Sequence, residues 1–219
     1  QRTGCGSLNR IRVGEQLGQV VAEINGRCFG RPSDRAPFIT LTCTNSVADR
    51  INLEKLNSLP GAVRVFKGTL TGRLDREREI RLASPLKLEL KVGCQVMFTQ
   101  NDQERRWVNG TVGVVRDMRP DDVQVELLGE GSGQTHQVPR ATWQFYEYQY
   151  DREKKRVVRV PVGSYSQIPL MLAWAITIHK SQGNTLERIR IDLGRGAFAP
   201  GQVYVALSRC RSLNDIELA

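Results

Sequence analysis

The chain has 219 residues, 40% of them hydrophobic, and its 32 Lys and Arg against 23 Asp and Glu give a formal net charge of +9. This length fits one large domain or two small ones, and no apolar run approaches the roughly 20 residues that a membrane-spanning helix needs. The 5 cysteines are dispersed without a CxxC pair and only 2 histidines occur, which argues against a disulfide framework and a metal site. We expect a cytoplasmic protein without a membrane partner, whose positive charge suits a polyanion.

The pattern of residues 1–35 is helical, with little core of its own to cover. An apolar stripe at helical spacing ends near Asn25-Gly26. Its members are Leu17, Val20, Val21 and Ile24. We expect this segment to be the helical tail of a domain whose body lies outside the chain.

Residues 36–85 begin an α/β unit. A short apolar strand at 38–41 is followed by Thr44 and Asn45, either of which can cap the helix that runs to Pro60-Gly61. The next stretch, 63–81, alternates in charge, which is typical of a solvated surface or a flexible connection.

Short strands separated by glycine turns fill residues 86–162 and predict a small antiparallel β-barrel. Trp107, beside Asn109-Gly110, is expected in a loop where it can meet nucleic acid. Three further aromatic residues alternate along a strand and are expected in the core. They are Trp143, Phe145 and Tyr148.

The α/β pattern returns in residues 163–219. We expect a buried helix at 171–179, a strand at 189–193, a helix through 204–209 that starts near Pro200, and a last strand at 215–218. The strands at 38–41, 189–193 and 215–218 are expected to share one sheet.

Two polar sequences in this last region point to chemistry. Residues 179–183 (HKSQG) place cations, a hydroxyl and a glycine in one turn, and Arg209 ends an apolar helix face in YVALSR. Amides, hydroxyls and cations are the groups that phosphate oxygens need. The pattern indicates phosphate handling on an α/β scaffold.

HKSQG and YVALSR resemble motifs V and VI of superfamily 1 helicases, most closely the RecD-like, petite-integration-frequency branch (superfamily 1B). Residues 42–45, with Asp49 and Asn52 behind them, resemble motif IV of that branch. The stretch LKVGCQVMFTQND…RWVNGTVGVV is similar to its inserted Src-homology-3-like barrel. The resemblance implies a RecA-like second motor domain of the P-loop NTPase type with that barrel inserted, from the C-terminal half of a helicase.

The resemblance also implies roles for single residues. Arg209 becomes the catalytic arginine finger for ATP, and Gln182 and Gly183 contact the nucleotide. The implied single-stranded DNA contacts are Thr44, Asn45, Trp107, Asn109, His179, Lys180 and Ser181. Magnesium ligands and the phosphate-binding lysine are expected from an N-terminal RecA-like partner domain, since no GxxxxGK[ST] occurs in this sequence.

The chain alone is therefore expected to hydrolyse no ATP, whereas the whole protein would unwind DNA with 5′ to 3′ polarity in repair or recombination. A stand-alone nucleic-acid-binding module, in which Arg209 is merely structural, is the alternative that the sequence leaves open.

Overall fold

A computed structural model describes residues 9–11, 13, 15–29, 39–72, 82–129, 133–151, 155–194, 196 and 201–219. The chain divides into two compact units. The first unit comprises Gln1–Ser58 together with Leu172–Ala219, and the second unit comprises Leu59–Met171. None of the helices in the described ranges is long and apolar enough to cross a membrane.

The helices are α1 (Leu17–Cys28), α2 (Asn45–Ser58), α3 (Gln202–Leu207) and a 3-10 helix (Leu213–Asp215). The strands are β1 (Ile39–Thr42), β2 (Arg64–Lys67), β3 (Thr69–Gly72), β4 (Lys87–Leu90), β5 (Gln95–Phe98), β6 (Val112–Met118), β7 (Asp122–Leu127), β8 (Thr135–Pro139), β9 (Ala141–Asp151), β10 (Arg156–Gln167), β11 (Leu170–Leu172), β12 (Ala175–Thr177), β13 (Ile189–Asp192) and β14 (Ile216–Leu218).

A parallel sheet forms the centre of the first unit, in the order β12-β1-β13-β14. Every residue of β1 is buried, as expected for a strand with neighbours on both sides and helices on the sheet. α2 packs against β1 and β12. The prediction that the strands near 38–41, 189–193 and 215–218 share one sheet is confirmed.

The predicted helix at 171–179 is wrong: this stretch forms β11, β12 and a turn. Ala175, Ile176 and Thr177 are all buried. They pair in register with residues 40–42 of β1, which supplies hydrogen bonds that a helix would have made internally. Periodicity cannot separate a short strand that is buried on both faces from a buried helix.

α1 makes contacts within the first unit, and its expected role as the helical tail of another domain stays a prediction. It packs against β14 and the 3-10 helix of the first unit, and the Sγ of Cys28 donates to the carbonyl oxygen of Leu213 at 3.3 Å. Val20 and Ile24 are buried as predicted, whereas Val21 is exposed. The predicted helix start at Pro200 lies outside the described residues.

The second unit consists of antiparallel β-structure. One sheet has the order β11-β5-β6-β7-β8, another β3-β10-β9, and β2 pairs with β4. Neighbours from β5 to β8 are antiparallel, as are the pairs in the two smaller sheets. β8 and β9 follow each other closely and separate after Pro139.

The boundaries of this unit are wider than the predicted 86–162. Residues 64–72, expected to be surface or linker, form β2 and β3. Polar contacts with β10 fix them: Gln167 Nε2 donates to the carbonyl oxygen of Phe66 at 3.0 Å, and the hydroxyls of Thr71 and Ser164 hydrogen-bond at 2.7 Å. These contacts join segments about a hundred residues apart, which local charge patterning cannot reveal.

The aromatic predictions also need correction. Trp107 is buried, its ring centroid lies 4.6 Å from that of Phe98, and Arg106 Cζ lies 4.6 Å above it. Its ring packs inside the unit, and the contact of Trp107 with DNA stays a prediction. Tyr148, expected in the core, is 76% exposed. Trp143 and Phe145 are half-buried.

Candidate functional site

Three polar segments meet at the carboxyl edge of the parallel sheet. Each segment starts at the last residue of a strand: 42–45 at the end of β1, 177–183 at the end of β12, and 192–194 at the end of β13. Register places Thr42 beside Thr177 on one side and beside Asp192 on the other. Ligands of open α/β sheets bind outside the carboxyl ends of the strands, so this edge is the candidate site.

The first two segments are joined by backbone and hydroxyl contacts. The N–H of Ile178 donates to the carbonyl oxygen of Thr42 at 2.9 Å. The hydroxyl of Thr42 donates to the carbonyl oxygen of Thr44 at 3.0 Å. Thr44 and Asn45 are exposed at the start of α2. Both predicted residues therefore have their side chains available beside the 177–183 turn.

The turn is closed by its own backbone. The N–H of Ser181 donates to the carbonyl oxygen of Thr177 at 3.1 Å, and that of Gln182 donates to the carbonyl oxygen of His179 at 3.2 Å. Ser181 is fully buried and its hydroxyl donates to the carbonyl oxygen of Ile178 at 2.7 Å. Its hydroxyl therefore shapes the turn, and the contact of Ser181 with DNA stays a prediction.

The remaining turn residues face solvent. His179, Lys180, Gln182 and Gly183 are all exposed. Gly183 has φ +83°, and no atom lies within 4 Å of where its Cβ would be. A glycine accepts this left-handed backbone without strain, and the open space around it leaves its backbone accessible to a ligand.

Arg209 lies directly against this turn. Its Nη1 donates to the carbonyl oxygens of Ser181 at 3.3 Å and Asn184 at 3.2 Å. Its Nε donates to Val205 O at 2.9 Å and its Nη2 to Ser208 Oγ at 2.7 Å. A guanidinium has five N–H groups, so among the described contacts one N–H of Nη2 stays available to an anion.

Asn52 has a structural role that the likeness to motif IV did not suggest. It is buried, its Nδ2 donates to the carbonyl oxygen of Ala175 at 2.8 Å, and its Oδ1 accepts from the N–H of Ala175 at 2.9 Å. β12 is an edge strand, so these backbone groups would otherwise lack ladder partners. Asn52 thereby fixes the strand that leads into the turn.

Asp192 is a residue at this edge that sequence reasoning missed. It ends β13, and its Oδ1 accepts from the N–H of Gly194 at 2.9 Å. Burial, and then the negative charge of Asp192, raise the pKa of the Cys43 thiol above its usual value. The available signal was its position at the end of a predicted parallel strand.

Two predicted DNA contacts, Trp107 and Asn109, lie in the second unit and not at this edge. Asn109 is exposed in the loop after Trp107, and its N–H donates to Asn101 Oδ1 at 2.7 Å. In the described ranges no three His, Cys, Asp or Glu side chains converge as a metal site.

A parallel sheet with helices on it, whose carboxyl edge gathers a polar turn and an arginine, defines a RecA-like α/β domain. The curated relatives agree with this class. An ATP-dependent DNA helicase Pif1 of Bdellovibrio bacteriovorus is 40% identical over 173 residues, 78% of this chain and 36% of the relative. The PIF1 helicase of Danio rerio is 36% identical over 227 residues, 99% of this chain and 33% of the relative. No model of a known protein family matches the sequence.

The solved structures give the same result. Unliganded Pif1 from Bacteroides sp. matches with a TM-score of 0.86 and 30% identity, over 100% of this chain and 49% of that one. The Bacteroides complex with ADP-AlF4 matches at 0.83 with 31% identity, over 98% and 48%. The single-stranded DNA complex matches at 0.69 with 30% identity, over 97% and 47%. The chain belongs to the Pif1 family of ATP-dependent DNA helicases, and it spans about a third of the curated relatives named above.

Proposed function

We propose that this chain is the C-terminal motor half of an ATP-dependent DNA helicase that unwinds 5′ to 3′ and acts in the cytoplasm. The observation that carries the proposal is the contact of Arg209 with the turn that bears His179 and Lys180. One side of this turn then serves the nucleotide and the other serves single-stranded DNA.

On the nucleotide side, Arg209 is the arginine finger and Gln182 and Gly183 contact ATP. A planar, permanently charged guanidinium suits the neutralisation of charge on a transferring phosphoryl group. The Nη2 N–H that no described contact uses supports this role. The phosphate-binding lysine and the magnesium ligands would come from an N-terminal RecA-like domain, with ATP bound between the two domains.

On the DNA side, the exposed side chains of Thr44, Asn45, His179 and Lys180 bind the sugar-phosphate backbone. Such contacts are salt-dependent and carry no base code. If the spare Nη2 N–H binds phosphate while Nη1 keeps its bonds to the carbonyl oxygens of Ser181 and Asn184, a movement of Arg209 is passed to the turn. The turn would then shift, and the affinity for single-stranded DNA would depend on the state of the nucleotide.

The second unit, in this proposal, is an inserted Src-homology-3-like barrel. Support comes from its short antiparallel strands and from its position in the sequence between β1 and β12 of the parallel sheet. Asn109 is proposed as a DNA contact of this unit, since its side chain is exposed.

The DNA role is tested by fluorescence anisotropy of a labelled oligo-thymidine at two salt concentrations, with duplex of the same length beside it. Lys180→Ala should weaken single-strand binding and lower the salt slope by about 1. Lys55→Ala, an exposed lysine on α2, is the matched control and should change little. Equal effects of the two variants, or a preference for duplex, would favour a stand-alone nucleic-acid-binding module.

The catalytic role is tested by ATP hydrolysis. The chain alone should show no activity above background. With an added N-terminal half of a relative, Arg209→Lys should lower turnover by about 10³-fold or more, the scale of arginine fingers. Full activity of that variant would exclude Arg209 as the finger.

A further inference from the structure

A long antiparallel pair, β9 with β10, carries several aromatic residues on one face. Tyr148 lies opposite Arg159, Tyr150 opposite Val157, and Tyr146 opposite Pro161. Directly opposed residues of an antiparallel pair point to the same side of the sheet, and residues two apart on a strand share a face. These positions therefore form one surface, which we call the tyrosine face. Its members are Tyr146, Tyr148, Tyr150, Val157, Arg159 and Pro161.

The aromatic and apolar side chains of the tyrosine face are unusually exposed to solvent. Tyr148 is 76% exposed, Tyr150 62% and Val157 62%, whereas Tyr165 on the same β10 strand is fully buried. Scattered apolar residues on a surface need no explanation, but contiguous ones mark interaction sites. The exposure of neighbouring rings indicates that this face has a binding partner.

The positive charge of the tyrosine face favours a polyanion as the ligand. Arg159 Cζ lies 3.5 Å from the ring centroid of Tyr146. Lys155, which directly precedes β10, is exposed, whereas Arg156 pairs with Asp151 and alternates to the opposite side. Glu147 alternates to the opposite side of the strand. The side with the rings thus carries the guanidinium of Arg159, while the carboxylate of Glu147 points away from it.

The spacing suits unpaired bases. Residues two apart along a strand are separated by roughly 7 Å, about twice the 3.4 Å step of stacked bases. A base therefore fits between neighbouring tyrosine rings, and a nearby arginine can hold the phosphate. Aromatic side chains in a positively charged groove are the usual platform for single strands.

We propose that the tyrosine face is a second binding surface for single-stranded nucleic acid, on which unpaired bases stack on Tyr148 and Tyr150. The choice of single-stranded nucleic acid as the ligand extends the proposed function and rests on it. The surface belongs to the second unit and contains none of the residues at the edge of the parallel sheet.

The test uses the 219-residue chain and the double variant Tyr148→Leu, Tyr150→Leu, which keeps apolar bulk but removes the rings. Affinity for oligo-thymidine should fall about fivefold or more, whereas affinity for an abasic sugar-phosphate strand of equal length should not change. The matched control is Tyr148→Phe, Tyr150→Phe, which keeps the rings and should bind oligo-thymidine within about twofold of the parent chain.

A second measurement places the base directly. Oligonucleotides with 5-iodouracil should photocrosslink to Tyr148 or Tyr150, as identified by peptide mass spectrometry. Equal loss of affinity for both strands in the leucine variant, unchanged affinity for both, or crosslinks only elsewhere would overturn the proposal. Lys180→Ala and ATP hydrolysis test the proposed function at other residues, so the two proposals can fail separately.

Discussion

The guanidinium of Arg209 holds the turn that contains Ser181, with its Nη1 3.3 Å from the carbonyl oxygen of Ser181. The backbone bond from the N–H of Leu186 to the carbonyl oxygen of Arg209, at 2.9 Å, runs in the other direction. The end of α3 and the turn after β12 are therefore joined by both side chain and main chain. A residue expected at the nucleotide is also part of the local framework.

Replacing Arg209 by alanine should destabilise this chain even without any nucleotide. Hydrogen bonds from a charged donor contribute about 1.5–3 kcal/mol each, but Arg209 is only half-buried and water can replace some of its bonds, so we expect a loss of about 2 kcal/mol in the free energy of unfolding. Urea denaturation measures it. Arg50→Ala removes the same charge but breaks only an exposed ion pair with Glu54, and should cost less than about 0.5 kcal/mol. Equal costs would show that the contacts of Arg209 contribute nothing.

Asn52→Ala should be more destabilising than its position on a surface helix suggests. The variant leaves the N–H and carbonyl oxygen of Ala175 buried without their side-chain partner. Each orphaned group costs about 1–3 kcal/mol, so we expect a loss of about 3 kcal/mol by thermal and urea denaturation. Asn57→Ala, on an exposed position of the same helix, is the control. A difference below about 0.5 kcal/mol would contradict this role of Asn52.

Gly183→Ala tests the left-handed backbone of the turn. At φ +83° a Cβ costs roughly 1–2 kcal/mol, although no neighbouring atom obstructs it. We expect lower stability together with weaker binding of single-stranded DNA. Gly26→Ala within α1 adds the same methyl group where helix propensity favours it, and should stabilise by up to about 1 kcal/mol. If both variants gain stability, the turn does not need its glycine.

The rate at which the Cys43 thiol is alkylated depends on its surroundings at the carboxyl edge of the parallel sheet. Its pKa is raised by burial and by the charge of Asp192, so the thiolate is scarce at neutral pH and alkylation is slow. Asp192→Asn removes the second cause, lowers the pKa and should speed reaction with iodoacetamide, as followed by peptide mass spectrometry. Glu54→Gln, a change of exposed charge elsewhere, should leave the rate unchanged. Equal rates in all three proteins would rule out the influence of Asp192.

The Asp102 carboxylate gives the second unit an acid-sensitive contact. Hydrogen bonds from Arg106 lower the pKa of Asp102 to about 2, below the value of about 3.9 in an unfolded chain. The contact therefore stabilises fully above about pH 4 and is lost as pH falls through about 2. Asp102→Asn should flatten the acid limb of the stability profile between these values, whereas Asp117→Asn, at an exposed position, should not. An unchanged acid limb in Asp102→Asn would contradict the assignment.

Much of the first unit could be predicted from local sequence. An apolar strand and a helix at 38–60, and the strand–helix–strand order after 189, each depend on neighbours within a few residues. The resemblance in HKSQG and YVALSR likewise placed the candidate site on two short segments. These features are local, so the sequence carries them without knowledge of the fold.

The tertiary structure decided which polar side chains are available. Ser181 and Trp107 have residue types that suit a nucleic-acid contact, yet both are buried, whereas Tyr148 has an apolar pattern and is exposed. The strand at Ala175–Thr177 exists because β1 pairs with it and because Asn52, 123 residues away in sequence, satisfies its outer edge. Burial and edge pairing depend on such distant partners, so only the folded chain determines them.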